Sequence, residues 1–193
     1  GSWQFAAAPG TFGTGYDIGL DLVWEVVTKA CRDALQQAHI ESSAVAAIAV
    51  SAMRFSTVVL GADGKSLLAV DNRDARAAGE YFEVAEKMGP QLLQDTGCWP
   101  LPLHASARLL WLKKQQPDRF SQAQTVFGVG EWLTWRLSGV RAIDATLASA
   151  TGLFHLADKA SCWQLIDELG LPRAIFPPLI DAGCAVGELT AEA

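Results

Sequence analysis

Apolar positions recur at intervals of three and four through Leu20, Val23, Trp24, Val27, Cys31, Ala34, Leu35 and Ala38. That spacing predicts an amphipathic helix opened by Asp17. Residues 45–51 then form an unbroken small-apolar run, the pattern of a strand covered on both faces. Residues 57–60 and 67–70 predict two short strands, joined by Ala62-Asp63-Gly64 as a hairpin turn in which Gly64 supplies the positive φ. A polar stretch follows, from Asp71 to Arg76.

A helix is expected over 77–88, with Tyr81, Phe82, Ala85 and Met88 on one side. Gly89-Pro90 should break it, leaving a short helix to Asp95 that closes at Gly97. Residues 106–116 are helical up to Pro117, 125–129 read as a buried strand, and 131–138 form a helix closed by Gly139. Asp144 occupies an N-cap position, and a last helix spans 163–169 before Gly170. Strands alternate with helices around one hairpin, so the fold class is α/β around a mixed sheet with flanking helices.

Half of the 193 residues are hydrophobic and 19% are charged, which excludes a disordered or collagen-like chain. The formal net charge of −6 and the lack of a Lys/Arg cluster argue against nucleic acid or an anionic membrane as partner. No apolar run approaches the ~20 residues a membrane-spanning helix needs. Cys31, Cys98, Cys162 and Cys184 form no C-x-x-C pair and read as cytosolic thiols, and His39, His104 and His155 are scattered. A metal site is not expected. The glycines at 10, 13 and 15 lack the Lys-Ser/Thr that would follow them in a phosphate loop.

The chemistry-bearing candidates are few. Met53-Arg54 directly follows the expected strand at 45–51, and ligands of open α/β sheets gather at the carboxyl ends of strands. Arg54 either forks hydrogen bonds onto hydroxyls, a carboxylate or a phosphate, or pairs with a nearby acid. In the run Asp71-Asn72-Arg73-Asp74-Ala75-Arg76, Asp74 either accepts from ligand hydroxyls with Arg76 holding it, or caps the next helix in a solvated loop. His104, in a Pro-flanked loop, either faces a cleft or is merely exposed, and Trp132 and Trp135 read as core.

The ordered set of segments resembles the N-terminal, sugar-binding domain of the FGGY carbohydrate kinases. Ser51-Ala52-Met53-Arg54 resembles that family's strand and sugar-contacting turn, and Asn72-Arg73-Asp74-Ala75-Arg76 its W-x-D-x-R. Thr96-Gly97, the run from Arg108 to Gln115, the helix from Glu131 to Gly139 and the run from Asp144 to Leu153 continue the pattern over nearly the whole chain. Asn72 stands where most members carry Trp, and Arg108 replaces a Lys.

The resemblance implies a ribonuclease-H-like (actin-like) domain lacking its first strands, with residues 1–193 a partial N-terminal domain and the ATP-binding domain outside them. It implies a cytoplasmic kinase that, when intact, transfers phosphate from ATP with Mg²⁺ to a hydroxyl of a sugar or polyol. Met53, Arg54, Asp74 and Arg76 would contact that substrate, with Asn72 and His104 as secondary contacts. No catalytic residue is expected in this stretch, because the family's D-x-G-T opening and its G-x-D base match nothing here, so the chain alone is expected to be inactive. A homodimer is left open. The alternative is a non-catalytic sugar-binding or regulatory module on the same fold.

Overall fold

A computed structural model describes residues 7–191. Its centre is an antiparallel three-stranded sheet built from β1 (Thr57–Gly61), β2 (Ser66–Val70) and β3 (Ala123–Phe127), in the order β2-β1-β3. The expected hairpin joins β1 to β2, and Gly64 has φ 75°. Asp17 bridges to Val70, and the Ile18 amide donates to the Ala69 carbonyl at 2.8 Å, so the chain near residue 17 covers the outer edge of β2.

Every residue of β1 is buried, because the sheet is covered on both faces. Side chains alternate across a strand, so Val59 points one way and Val58 and Leu60 the other. Val59 packs with Val84, Met88 and Leu92 of α2 (Ala78–Thr96), Leu109 and Leu112 of α3 (Ala105–Gln115), and Leu165 and Ile166 of α7 (Trp163–Glu168). Val58 and Leu60 pack with Leu20 and Val23 of α1 (Leu20–Ala38) and with Val129 and Trp132 of α5 (Val129–Ser138). Trp132 is core, as expected, and Trp135 is half-buried against the same cluster.

The short α4 (Pro117–Phe120) links α3 to β3, and Pro117 begins it where its missing N–H costs nothing. Farther along, β4 (Ile143–Asp144) pairs in parallel with β7 (Leu179–Ile180), and β5 (Phe154–His155) pairs antiparallel with β6 (Ala160–Ser161). Asp144 caps α6 (Ala145–Ser149), its carboxylate accepting from the amides of Thr146 at 2.7 Å and Leu147 at 3.2 Å.

Three expectations are corrected. Residues 45–51 form no strand: β1 is already flanked by β2 and β3, and this run has no ladder to join among the described residues. Val45 and Ile48 are 38% and 48% exposed, so the run is not a covered one either. In the far half of the α1 stripe Cys31, Ala34 and Ala38 are likewise exposed, and Leu35 is half-buried.

Second, α2 runs unbroken through Gly89-Pro90. Pro90 and Glu86 both lie on the solvent side, where water can serve the Glu86 carbonyl that Pro90 leaves without a donor. Gly89 faces Trp99, whose ring would lie 2.6 Å from an added Cβ. Third, the strand expected at 125–129 ends at Phe127, and Gly128 and Val129 open α5 instead. No helix of the described residues is long and apolar enough to cross a membrane.

Candidate functional site

Antiparallel pairing brings three segments to one end of the sheet. Thr57 at the start of β1 lies opposite Val70 at the end of β2, and Val58 lies opposite Phe127 at the end of β3. Residues 52–56 therefore enter, and residues 71–76 and 128–131 leave, at the same sheet end.

Arg108 of α3 ties the first two segments together. It is fully buried. Its Nη1 donates to the Phe55 carbonyl and to Thr57 Oγ1, the latter at 3.2 Å, and its Nη2 donates to the carbonyls of Asp71 and Asp74, both at 2.7 Å. Its Nε has no hydrogen-bond partner and stands 3.9 Å from Asp74 Oδ1. Burial pushes the Arg108 pKa down to about 10 while Asp74 and Asp71 pull it back up, so the guanidinium stays charged at neutral pH.

Asp74 is also fully buried. Its Oδ2 accepts from the Tyr16 amide at 2.7 Å and from Arg76 Nε at 2.8 Å, and Arg76 Nη2 reaches on to Asp17 at 2.5 Å. The Arg76 guanidinium also lies 5.3 Å from the centroid of the Trp111 ring. Asp74 therefore does not cap the next helix: α2 starts after Ala77, which has no side-chain oxygen to offer. Asp71 is buried too, and accepts from the Arg73 amide and guanidinium at 2.7–2.9 Å. Side-chain charge inside this loop is matched by side-chain charge, which is what burial of carboxylates requires.

Arg54 and Asn72 remain exposed, and neither side chain has a hydrogen-bond partner among the described residues. Met53 is half-buried against the cluster that holds Trp132. His104 is neither in an open cleft nor exposed on a loop: it is buried at the start of α3, with its ring stacked on Phe55 at 5.8 Å between centroids. Gly152, at φ 72°, makes room for it, since an added Cβ would fall 2.5 Å from His104 Nδ1. Burial, aided by the Arg108 charge, lowers the His104 pKa to about 4, so its imidazole is neutral at pH 7.

The third segment carries a buried acid. Glu131 Oε2 accepts from the Gly128 amide at 2.8 Å, while Oε1 is buried without a partner. Burial raises the Glu131 pKa to about 7, against the two backbone hydrogen bonds that lower it and with a small further push from Asp144. Beside it, Ser56 Oγ accepts from the Val129 amide at 2.9 Å, which fastens the start of α5 to the segment leading into β1.

Five of the six expected site residues thus lie on two segments joined by one guanidinium, and His104 touches the same place through Phe55. Arg108, Phe55 and Glu131 were not among them. Arg108 had a readable signal, because it falls inside the apolar stripe Ala105, Leu109, Leu112 and a charge there must be paired internally. Glu131 had one as well, standing three residues after Gly128 as in a capping box. A cleft of about 460 Å³ shares Asp17 and Arg76 with this network and is lined further by Thr11, Trp111 and Arg119 among others. Among the described residues, no group of three or more His, Cys, Asp or Glu side chains is arranged to hold a metal ion.

Residues 17–193 match the N-terminal domain of the FGGY family of carbohydrate kinases. The chain belongs to this family. Autoinducer-2 kinase of Salmonella choleraesuis (strain SC-B67) is 33% identical over 195 residues, an alignment covering 99% of this chain and 36% of that protein. Gluconate kinase from Lactobacillus acidophilus superposes with a TM-score of 0.89 at 24% identity, over 100% of this chain and 38% of that one. Ligand-bound xylulose kinase from the same organism gives the same TM-score, identity and coverage. The FGGY chain described here therefore has the actin-like, ribonuclease-H-like α/β fold of those sugar kinases. It spans about 36% of the length of the curated relative it matches.

Proposed function

We propose that this chain is the sugar- or polyol-recognising part of an ATP-dependent carbohydrate kinase. The observation that carries the reading is the convergence of residues 52–56 and 71–76 on Arg108, which leaves Arg54 and Asn72 exposed at one sheet end. A guanidinium donates in a fixed fork and a carboxamide both donates and accepts, which suits neighbouring hydroxyls or a carboxylate. Met53 adds an apolar wall, and Asp74 and Arg76 hold the loop that carries Asn72. With Asn72 rather than a broad aromatic ring there, recognition is by hydrogen bonds more than by stacking.

The whole kinase would use ATP with Mg²⁺ as phosphoryl donor. This chain's share of the reaction would be to bind and orient the acceptor hydroxyl. That share is substantial, since phosphoryl transfer depends mainly on positioning and charge stabilisation.

A thermal-shift screen of the chain with D-xylulose, D-gluconate and glycerol tests the reading. At least one ligand should raise Tm. Arg54→Ala should weaken that ligand by about 10-fold or more, the value of a lost charge-assisted hydrogen bond. Tm without ligand should hardly move, because Arg54 has no hydrogen-bond partner among the described residues. No shift with any ligand, or an unaltered affinity in Arg54→Ala, contradicts it.

A further inference from the structure

Phe55 carries a backbone conformation that bulky residues avoid. Its φ is 62°, in the left-handed region, and it is neither glycine nor asparagine. Such a conformation persists only where its surroundings impose it. Two groups do so here. Arg108 Nη1 holds the Phe55 carbonyl, and the buried His104 ring stacks on the Phe55 ring with an interplanar angle of 24°. Both anchors are rigid: Arg108 has its two terminal nitrogens committed to four oxygens, and His104 is confined by Gly152.

The ring so fixed is what Arg54 rests on. The Arg54 guanidinium carbon lies 5.4 Å from the Phe55 centroid, within range of a cation–π contact. No carboxylate or carbonyl among the described residues accepts from Arg54. An arginine with rotatable χ angles and no acceptor would otherwise sample many positions and lose much of that freedom on binding.

We propose that Phe55 is a positioning residue for the ligand contact of Arg54. Arg108 and His104 lock Phe55 in the left-handed conformation, and its ring then presents the Arg54 guanidinium in one place. This rests on the reading of Arg54 as a sugar-side residue, and adds why that residue is followed by a strained aromatic. The buried, neutral His104 thereby acts on the ligand only through Phe55.

A double-mutant cycle on the full chain tests it, with affinities for D-xylulose, D-gluconate and glycerol taken from ¹H–¹⁵N shift titrations. Phe55→Ala should weaken the bound ligand several-fold, and Phe55→Tyr should restore affinity. In an Arg54→Ala background, Phe55→Ala should cost no further affinity, because the residue it positions is gone. A residue that only supports the fold would give additive losses or none. Should Phe55→Ala fold poorly, Phe55→Asn carries the same test, since asparagine tolerates the left-handed region without a ring. Full affinity in Phe55→Ala beside a weakened Arg54→Ala overturns the positioning role and leaves the sugar reading intact. Additive losses in the double variant overturn it as well. If the wild-type chain binds none of the three, or Arg54→Ala binds normally, the sugar reading fails and takes this inference with it.

Discussion

Arg108→Met should lower the unfolding free energy by about 3–5 kcal/mol, the cost of removing one partner from a buried charge network. Methionine fills a similar volume but donates nothing. The carbonyls of Phe55, Asp71 and Asp74 and the Thr57 hydroxyl would lose their shared donor inside the protein. Asp74, fully buried, would keep Arg76 but lose the second positive charge beside it. Arg108→Lys should recover only part of the loss, because one ammonium group has three donors and cannot span acceptors on two separate segments. Urea unfolding read by intrinsic fluorescence measures both variants, and a loss for Arg108→Met below about 1 kcal/mol would show that the guanidinium is not the tie described here.

The second large effect is a pH dependence set by Glu131. Its folded pKa of about 7 stands above the ordinary 4.5, so the folded state keeps a proton that the unfolded state releases between those values. The stability tied to that proton is complete below about pH 4.5 and falls as pH rises through 7, by about 3 kcal/mol at one pKa unit per 1.36 kcal/mol. His104 acts in the opposite sense: its folded pKa of about 4 lies below the ordinary 6.5, so its contribution grows as pH rises between those values. The two nearly offset each other from pH 4.5 to 6.5. Glu131→Gln, a mimic of the neutral acid, isolates the first. It should match the wild type at pH 4 and exceed it by about 3 kcal/mol at pH 8. Equal stability of the two proteins at pH 8 would mean that Glu131 ionises freely in the folded state.

What was legible in the sequence was whatever local chemistry decides. The β1–β2 hairpin follows from a glycine between two apolar runs, and the cap at Asp144 from a carboxylate ahead of free helical amides. The grouping of residues 53–54 with 72–76 was reached through the order of the segments and not through any one motif. What was not legible depends on distant partners. Residues 45–51 have the composition of a buried strand, yet a strand exists only where a neighbour offers a ladder, and the described sheet offers none. Pro90 looks like a stop, but a helix on the protein surface can carry it when the orphaned carbonyl meets water. The left-handed φ of Phe55 has no local signature, because it is imposed by an arginine 53 positions away.

The roles of Asp74 and Arg76 show the same limit from the other side. Both were expected as ligand contacts on the resemblance to the family's W-x-D-x-R, while the residues alone offered Arg76 as the group that holds Asp74, which it does at 2.8 Å. In the folded chain their side chains face each other, Asp17 and Arg108, and the exposed donors are left to Arg54 and Asn72. Two exposed polar residues on segments tied by a buried ionic network is the arrangement expected of a preorganised binding wall.

Amide and side-chain ¹H–¹⁵N shifts on titration with D-xylulose, D-gluconate or glycerol map the location of that wall directly. Perturbations should cluster in residues 52–56 and 71–76, including the Asn72 carboxamide and the Arg54 Nε–H. Perturbations centred instead on Thr11, Trp111 and Arg119, in the cleft that Arg76 borders, would contradict it.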